Sequence, residues 1–269
     1  MNEIKQISSL QNPLVKKIFS LKEKSRDRKK SGLFVLEGVR EFNLAIKGKY
    51  HIETIFFHGP LMPIEKVRTL IQDLETPPNV IEVSKEVYQK LAHRETTEGM
   101  LALAKSKSHN LMEFPLNGKH PLILVAEAPE KPGNIGALLR TADAANLDGV
   151  LIANPKGDLY NPNIVRSSIG CIFTVNIATG TSEEIIHFLK ENEIAIYCAA
   201  LSSSKIYTSI DFRGANAIVV GTEATGLSEE WLKNASDNIL IPMEGEIDSM
   251  NVSVSAAILI FEAKRQRAF

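Results

Sequence analysis

The stretch LILVAEAPEKPGNIGALLRTADAANLDGVLIAN (122–154) carries the pattern that decides the fold. It begins with a short apolar run at 122–128, continues through a helical pattern near 135–146, and ends with a second apolar run at 149–154. Short apolar runs separated by helices are typical of parallel strands that helices cover on both faces. The stretch therefore predicts one strand–helix–strand unit of an α/β sheet.

The same alternation continues beyond residue 154. The further strand-like runs are TVNIAT (174–179), AIYCAAL (195–201), AIVVG (217–221) and NILIPM (238–243). The accompanying helical patterns lie near 182–192, 228–235 and 252–266. We therefore expect a mostly parallel α/β sheet in the C-terminal half of the chain.

The N-terminal half predicts a smaller α/β unit. Its strand-like runs are LFVLEG (33–38), IETIFFH (52–58), NVIEVS (79–84) and GMLALAKS (99–106). Its helical patterns lie near 39–48, 63–74 and 84–92. A polar stretch with weak periodicity then separates the two halves, as linkers do. The predicted organisation is a basic extension at 1–30, an α/β domain at 31–106, a linker at 107–120 and an α/β domain at 121–269.

Positive charge is concentrated at the N-terminal end. Residues 1–32 hold nine Lys or Arg and three acidic residues, so this segment is +6 and the rest is −7 in a chain of net charge −1. The apolar residues of 12–24 recur at helical spacing with lysines between them, which predicts a basic helix followed by a flexible charged stretch. This pattern indicates contact with a polyanion, although a solvated helix face with a charged linker would share it. The candidate contacts are Lys16, Lys17, Arg26, Arg28, Lys29, Lys30 and Arg40.

Features that the sequence lacks argue against several classes of protein. No apolar run reaches the roughly 18 residues of a membrane span and no signal-peptide pattern opens the chain, so we expect a cytoplasmic protein. Cys171 and Cys198 are far apart and the six histidines lack metal-binding spacing, so we expect two buried thiols and no metal site. The absence of G-x-G-x-x-G and of G-x-x-x-x-G-K-[ST] argues against a dinucleotide-binding domain and a P-loop domain.

Three polar segments follow strand-like runs, where open α/β sheets place their ligands. They are PGNIGALLRTA (132–142), VVGTEATGLSEE (219–230) and IPMEGEIDSMNVSVSAAILIFEA (241–263). Taken singly, each has a structural explanation: a helix start, a glycine turn and a helix cap. Those explanations do not account for the occurrence of all three, in this order, on one α/β domain. We therefore interpret the three segments as parts of one ligand site.

Residues of the first two segments are suited to contact with a ligand. Asn134 and Arg140 lie in the first turns of a predicted helix, and polar groups at a helix N-terminus favour phosphate. Gly221 and Gly226 frame Glu223 directly after a strand, and glycine lets the backbone approach a ligand closely. Asn134 and Arg140 are therefore candidates for contact with a phosphate, and the segment around Glu223 is a candidate for close backbone contact with a ligand.

The three segments resemble motifs of the SPOUT superfamily, in particular of the TrmH or SpoU family of RNA ribose 2′-O-methyltransferases. N-x-G-x-x-x-R (134–140) resembles the first motif, G-x-E-x-x-G-L-S (221–228) the second, and I-P-M-x-G-x-x-x-S-x-N-V-S-V (241–254) the third. Met250 replaces the usual leucine of the third motif, which is a near-isosteric change. Residues 33–105 resemble the family's ribosomal-protein-like substrate-binding domain, and the basic N-terminal residues resemble the extension of its rRNA-modifying members.

The resemblance implies a fold, a reaction and partners. The C-terminal domain is expected to be a trefoil-knotted α/β domain with a mostly parallel sheet, which forms a homodimer. The reaction is expected to be methyl transfer from S-adenosylmethionine to a ribose 2′-hydroxyl of a structured RNA, with ribosomal RNA, such as 23S, as substrate. The implied catalytic residues are Arg140, Asn134, Glu223, Ser249 and Asn251. The implied cofactor-binding residues are Leu201, Gly221, Ile241, Met243 and Met250.

Two questions stay open on the sequence alone. Arg140 is either an unusually activated base or a bidentate clamp on a phosphate, and the clamp agrees better with the protonated state that arginine keeps in proteins. The second question is whether the fold is catalytic. A non-catalytic RNA-binding or ribosome-assembly protein is the alternative function, although Arg140, Glu223 and Asn251 are all present. A nucleotide-dependent oxidoreductase is a further alternative that only the α/β pattern favours.

Overall fold

The structure is a computed structural model, and it describes residues 4–93, 98–116, 118–201, 204–222, 225–247 and 249–267. The chain divides into two compact units. The first contains Met1–Lys107 and Asp158–Thr174, and the second contains Ser108–Gly157 and Val175–Phe269. Both units are α/β, as the alternating pattern predicts. No helix among the described residues is long and apolar enough to cross a membrane.

Within the described residues, the first unit has a five-stranded mixed sheet with the order β1-β4-β3-β5-β2. The strands are β1 (Lys5–Ile7), β2 (Leu33–Glu37), β3 (Ile52–Phe57), β4 (Asn79–Val83) and β5 (Met100–Lys105). The helices are α1 (Pro13–Glu23), α2 (Ser25–Ser31), α3 (Val39–Lys47), α4 (Ile64–Ile71) and α5 (Lys85–Leu91). β4 runs parallel to β1 and β3, whereas β5 is antiparallel to β2 and β3. The strands and helices predicted between 33 and 106 are confirmed.

The second unit contains a parallel sheet, seven-stranded over the part of the chain that the structure describes, with the order β10-β12-β9-β11-β6-β7-β8. The strands are β6 (Leu122–Glu127), β7 (Gly149–Ala153), β8 (Ile177–Gly180), β9 (Ala195–Ala199), β10 (Lys205–Ile206), β11 (Asn216–Val220) and β12 (Asp237–Leu240). The helices that follow α5 in the chain are α6 (Pro132–Ala144), α7 (Pro162–Ser167), α8 (Ser182–Glu191), α9 (Glu229–Asn234) and α10 (Val252–Gln266), of which α7 belongs to the first unit.

Every pair of neighbouring strands in this sheet is parallel over the described residues, so the carboxyl ends of the strands share one edge. The predicted parallel sheet is confirmed. β8 begins later than the strand predicted at 174–179, because residues 171–173 form a 3₁₀ turn that Thr174 closes. Both cysteines are buried and free, which confirms the expectation of two structural thiols.

The N-terminal residues are an integral part of the first unit. β1 pairs with β4, and α1 buries Val15, Ile18 and Leu21 in the core of that unit. Phe19, the residue after Ile18, lies beside this buried stripe and is 43% exposed. Asn12 caps the helix by accepting a hydrogen bond from a backbone N–H of its first turn. The predicted basic helix is confirmed, but its interpretation as an extension outside the domain is wrong, because its apolar stripe completes the core.

The charged stretch predicted to be flexible forms helix α2, and that helix buries Arg28. Gly32 ends α2 in the left-handed conformation with a φ of 64°. Arg28 is 5% exposed, and its Nη2 and Nε donate to the Asp158 carboxylate at 2.6 and 3.0 Å. Its Nη1 donates to the carbonyl oxygens of Leu21 and Lys22 at 2.6 and 3.2 Å. The prediction that Arg28 contacts a polyanion is therefore wrong, because its guanidinium is occupied inside the protein.

The segment Asp158–Thr174 packs in the first unit although residues on both sides of it belong to the second. Tyr160 stacks on Phe34 of β2 with 4.4 Å between ring centroids. The Tyr160 hydroxyl also accepts a hydrogen bond from the Lys107 backbone N–H at 2.9 Å. The first unit therefore draws on two separate stretches of chain, whereas the sequence predicts a single break at 107–120.

Candidate functional site

A cavity of about 290 Å³, here called the site cavity, lies at the carboxyl-terminal edge of the second unit's sheet. Its walls come from the end of β6, the start of α6, the loop after β11 and the first residue of α10. These elements belong to or adjoin the three segments that the sequence singles out, and they meet where parallel sheets place their ligands. The lining residues include Ala126, Lys131, Asn134, Leu138, Thr222 and Val252.

A side-chain hydrogen bond joins the first and third segments beside the site cavity. Asn251 Nδ2 donates to Asn134 Oδ1 at 3.2 Å, across 117 positions of sequence. Asn251 is also the cap of α10, because its Oδ1 accepts from the Ser253 backbone N–H at 3.0 Å and from the Ser253 hydroxyl at 2.6 Å. The helix cap thus fixes the Asn251 side chain, which in turn orients the Asn134 amide.

The loop at residues 221–228 is here called the glycine loop, and its described residues on either side of 223–224 pair with each other. Thr222 and Gly226 exchange backbone hydrogen bonds of 3.2 and 3.0 Å, and Thr225 N–H donates to Thr222 Oγ1 at 3.1 Å. A Cβ at Gly221 would overlap the Gly226 carbonyl group. Glycine is therefore required at 221 for the closure of this loop, which is a different reason from the ligand approach that the sequence indicates.

A second cavity of about 370 Å³, here called the loop cavity, lies beside the segment that follows β12. Leu201, Ile241 and Met243, three of the predicted cofactor contacts, line it together with residues 245–247. The apolar side chains here lie next to an irregular backbone, whose N–H and C=O groups are not paired in the sheet. Such a surface fits a flat heterocycle, because the faces of the ring need apolar cover and its edge needs hydrogen-bonding groups.

Arg140, Ser249 and Met250, three further predicted site residues, do not line either cavity. Arg140 is exposed on α6, six positions after Asn134, and this spacing at 3.6 residues per turn turns the two side chains to different sides of the helix. Ser249 is exposed and Met250 is half-buried in the segment before α10. Glu223 lies outside the described residues. The structure therefore brings Asn134, Asn251 and Gly221 together, and places Arg140 elsewhere on the same helix.

Several residues of the site were not predicted from the sequence. Lys131, Thr222 and Val252 line the site cavity, and each directly neighbours or lies within a segment that the motifs mark. Glu127 does not line the cavity but follows Ala126, which does, and it is the least expected polar residue nearby, because it ends an apolar strand and is only 7% exposed. A single carboxylate within the run LILVAEA was the signal that could have identified it.

The basic residues of the first unit divide into exposed and engaged side chains. Those exposed at the surface are Lys16, Arg26, Lys29, Lys30 and Arg40. Lys17 is half-buried and lies 3.8 Å from the Glu53 carboxylate. Arg40 lines a cavity of about 350 Å³ within the first unit, to which Lys22 and Arg166 also contribute. A cationic surface available to a polyanion is therefore present without Arg28.

Two family models match the chain. The SpoU rRNA Methylase family matches residues 121–261, which include the first two motif segments and residues 241–261 of the third. The MRM3-like substrate binding domain matches residues 12–102 in the first unit. The second match includes α1 and α2, in agreement with the packing of the basic N-terminal residues into this unit.

Similar proteins extend over almost the whole chain. A 23S rRNA (guanosine(2553)-2′-O)-methyltransferase of Bacillus subtilis (strain 168) is 27% identical over 261 residues, which cover 97% of this chain and 100% of that protein. The crystal structure of an RNA 2′-O ribose methyltransferase is 35% identical with a TM-score of 0.83, covering 98% of this chain and 100% of that one. The crystal structure of an AdoMet-bound rRNA methyltransferase from Sinorhizobium meliloti is 25% identical with a TM-score of 0.88, covering 97% and 98%.

Proposed function

Because this chain belongs to the SpoU rRNA methylase family, we propose that it methylates a ribose 2′-hydroxyl of ribosomal RNA, with 23S rRNA as substrate and S-adenosylmethionine as methyl donor. The family that the motifs resemble is confirmed by the family match. The hydrogen bond between Asn251 and Asn134 carries the proposal, since it joins two motif segments at a cavity wall. Separate structural explanations of the segments do not require that bond.

The loop cavity and the glycine loop fit S-adenosylmethionine. Leu201, Ile241 and Met243 would cover the faces of the adenine ring, and backbone groups of the same segment would pair with its edge. When bound, S-adenosylmethionine supplies a methyl group on a positively charged sulfur. Gly221 would contribute by keeping the glycine loop closed, and Met250 by its position between the loop cavity segment and Asn251.

The ribose hydroxyl is a poor nucleophile, so the protein must orient it and draw off its proton. Asn134 would present its oriented amide to the target nucleotide, with Ser249 and Glu223 as further contacts. Arg140 has two possible roles, as the base or as a bidentate clamp on the adjacent phosphate. Because arginine stays protonated in proteins, the clamp is the role that we propose.

A homodimer through the second unit would account for the exposed face of α10. Val254, Ala257, Ile258 and Phe261 recur at helical spacing, and Val254 and Phe261 are 47% and 41% exposed. An apolar stripe on a helix surface is typical of a protein interface. Arg140 would then be available to a site on the partner subunit. The trefoil knot and the cytoplasmic location remain predictions.

RNA binding would use the first unit. The exposed Lys16, Arg26, Lys29 and Lys30 come from the consecutive helices α1 and α2, which the structure holds in place. Arg40 would add a contact at the cavity of the first unit. These Lys and Arg side chains would neutralise RNA phosphates and release the counterions bound to them. The affinity of the protein for RNA should therefore depend strongly on the salt concentration.

Transfer of labelled methyl groups to 23S rRNA tests the proposal. Asn251→Asp is the informative variant, because aspartate keeps the helix cap but cannot donate to Asn134 Oδ1. We expect the rate to fall by about tenfold or more, since the hydrogen bond is lost and a carboxylate faces the Asn134 carbonyl oxygen. Asn192→Asp is the matched control, an exposed helix-end asparagine of the same unit, and it should leave the rate unchanged.

The wild-type protein itself decides between the candidate functions. Mapping of the methylated position should give a 2′-O-methyl ribose in 23S rRNA. Binding of both S-adenosylmethionine and RNA without any transfer would contradict the proposal and favour the non-catalytic RNA-binding alternative.

A further inference from the structure

Glu127 is a buried carboxylate with a hydrogen-bond donor at each oxygen. Its Oε2 accepts from the Ser228 backbone N–H at 2.8 Å, and its Oε1 accepts from the Ser182 hydroxyl at 3.3 Å. Ser228 is the last residue of the glycine loop, and Ser182 is the first residue of α8. The Glu127 side chain therefore ties the second motif segment to the packed part of the second unit.

Ser182 anchors this carboxylate through further hydrogen bonds. Its Oγ accepts from Trp231 Nε1 at 2.8 Å and from Asn154 Nδ2 at 2.9 Å, and its backbone N–H donates to Asn154 Oδ1 at 3.3 Å. Trp231 is a residue of α9, and its side chain is completely buried in the core. Asn154 follows β7, Ser182 begins α8 and Trp231 lies in α9. Hydrogen bonds among these three residues therefore hold Glu127 from one side.

Glu127 stands at the base of the glycine loop. In the register of β11 and β6, Val220 is the partner of Ala126, so Gly221 leaves the sheet beside Glu127. The loop returns to the same side chain at Ser228. Glu127 therefore holds the Ser228 end of the glycine loop by a hydrogen bond, beside the point where the Gly221 end leaves the sheet, while Thr222 within the loop forms part of the site cavity wall.

A carboxylate at this position has a desolvation cost. β6 is otherwise apolar and buried, so the hydrogen bonds from Ser228 and Ser182 must offset the hydration that the carboxylate loses. Glu127 itself is absent from the lining of the site cavity, although its strand neighbour Ala126 is part of it. Its effect on that cavity must therefore pass through the loop that it holds.

We infer that Glu127 is a positioning residue for methyl transfer, which fixes the glycine loop so that the cofactor-binding surface is preformed. This inference rests on the proposed function, since it concerns affinity for S-adenosylmethionine. A preformed loop binds more tightly because the ordering of the loop does not have to accompany binding.

Calorimetric titration with S-adenosylmethionine, combined with thermal unfolding, tests the inference in three variants. Glu127→Met removes both acceptors at similar volume and should raise the Kd about tenfold, the usual magnitude for a hydrogen bond to a charged group. Glu127→Gln keeps one acceptor and should give an intermediate Kd. Ser182→Ala removes the acceptor of Trp231 and Asn154 and the longer of the two hydrogen bonds to Glu127. It keeps the shorter bond from the Ser228 N–H, which is the one that holds the glycine loop, so its Kd should stay within about twofold of wild type.

The decisive result is that melting temperature and cofactor affinity rank the variants in opposite orders. Ser182→Ala should lower the melting temperature more than Glu127→Gln does, whereas Glu127→Gln should weaken cofactor binding more. Affinity losses that follow the melting temperatures in every variant would overturn the inference and make Glu127 a structural residue. If Glu127→Met fails to fold, the comparison of Glu127→Gln with Ser182→Ala still decides the matter.

The wild-type titration separates this inference from the proposed function. Wild-type protein that does not bind S-adenosylmethionine overturns the proposed function. Wild-type protein that binds it, with Glu127→Met and Glu127→Gln unchanged in Kd, overturns only the role of Glu127.

Discussion

Replacement of Arg28 by alanine should destabilise the first unit strongly. The guanidinium donates to both oxygens of Asp158 and to two backbone carbonyl oxygens, and the two side chains are only 5% and 11% exposed. Removal of Arg28 leaves the Asp158 carboxylate without its partner in a poorly solvated position. Loss of one member of a buried ion pair destabilises proteins by about 3–5 kcal/mol, so we expect a value in this range.

Urea unfolding of the Arg28→Ala variant measures this free energy, with Lys29→Ala as the matched control. Lys29 is the next residue of α2 and is exposed, so its replacement should change the free energy of unfolding by less than about 0.5 kcal/mol. The double variant Arg28→Met with Asp158→Leu removes both charges at once. This double variant should recover most of the lost free energy of unfolding, because apolar side chains then pack where the buried ion pair was.

The opposite result would refute the structural role of Arg28. If Arg28→Ala unfolds at the wild-type urea concentration but binds RNA with a smaller salt dependence, then Arg28 is an RNA contact, as the sequence predicts. An equal loss of stability in Arg28→Ala and in the double variant would show that the ion pair is not the source of the stabilisation.

Three further predictions concern the site, the RNA surface and a buried thiol. Arg140→Ala should abolish methyl transfer with cofactor affinity unchanged, and Arg140→Lys should not restore it because an ammonium cannot form the planar bidentate fork; full activity of the lysine variant would contradict the clamp. Simultaneous replacement of Lys29 and Lys30 by glutamine should lower the slope of log affinity against log salt by about 1.5, and an unchanged slope would exclude them as phosphate contacts. Burial raises the pKa of the Cys198 thiol to about 12, so Cys198 should resist thiol reagents until the protein unfolds. The free energy of unfolding should fall as the pH rises above about 8.5, because the thiol ionises there in the unfolded protein but not in the folded one. Rapid labelling of the native protein would contradict this burial.

All strands except β1 and β10 were predictable, because local pattern determines them. Short apolar runs such as LILVAEA alternate with helical patterns, and the bounds differ by only a few residues from those observed. β1 was missed because three residues with two exposed side chains carry no periodic signal. α2 was missed because its one buried side chain is an arginine, whose burial depends on Asp158, 130 positions away.

The candidate site was predictable in part. Asn134 and Asn251 were identified by resemblance to motifs, and the structure joins them by a hydrogen bond. Arg140 is separated from the site cavity because 3.6 residues per turn place it on a different side of α6 from Asn134. The sequence motif alone does not show this difference in direction. The role of Glu127 depends on contacts with Ser182 and Ser228, whose proximity arises only from the order of the strands in the sheet.

The discontinuous first unit has a consequence for biosynthesis. A growing chain that has reached Lys107 contains all five strands of that unit's sheet but not Asp158–Thr174. Phe34 then lacks the Tyr160 and Phe173 rings that stack on it, and the Arg28 guanidinium lacks its carboxylate. N-terminal domains generally fold first as they leave the ribosome, yet this one stays incomplete until β6, α6 and β7 of the second unit have also been synthesised. The second unit's first strands are therefore translated before the first unit can reach its final packing.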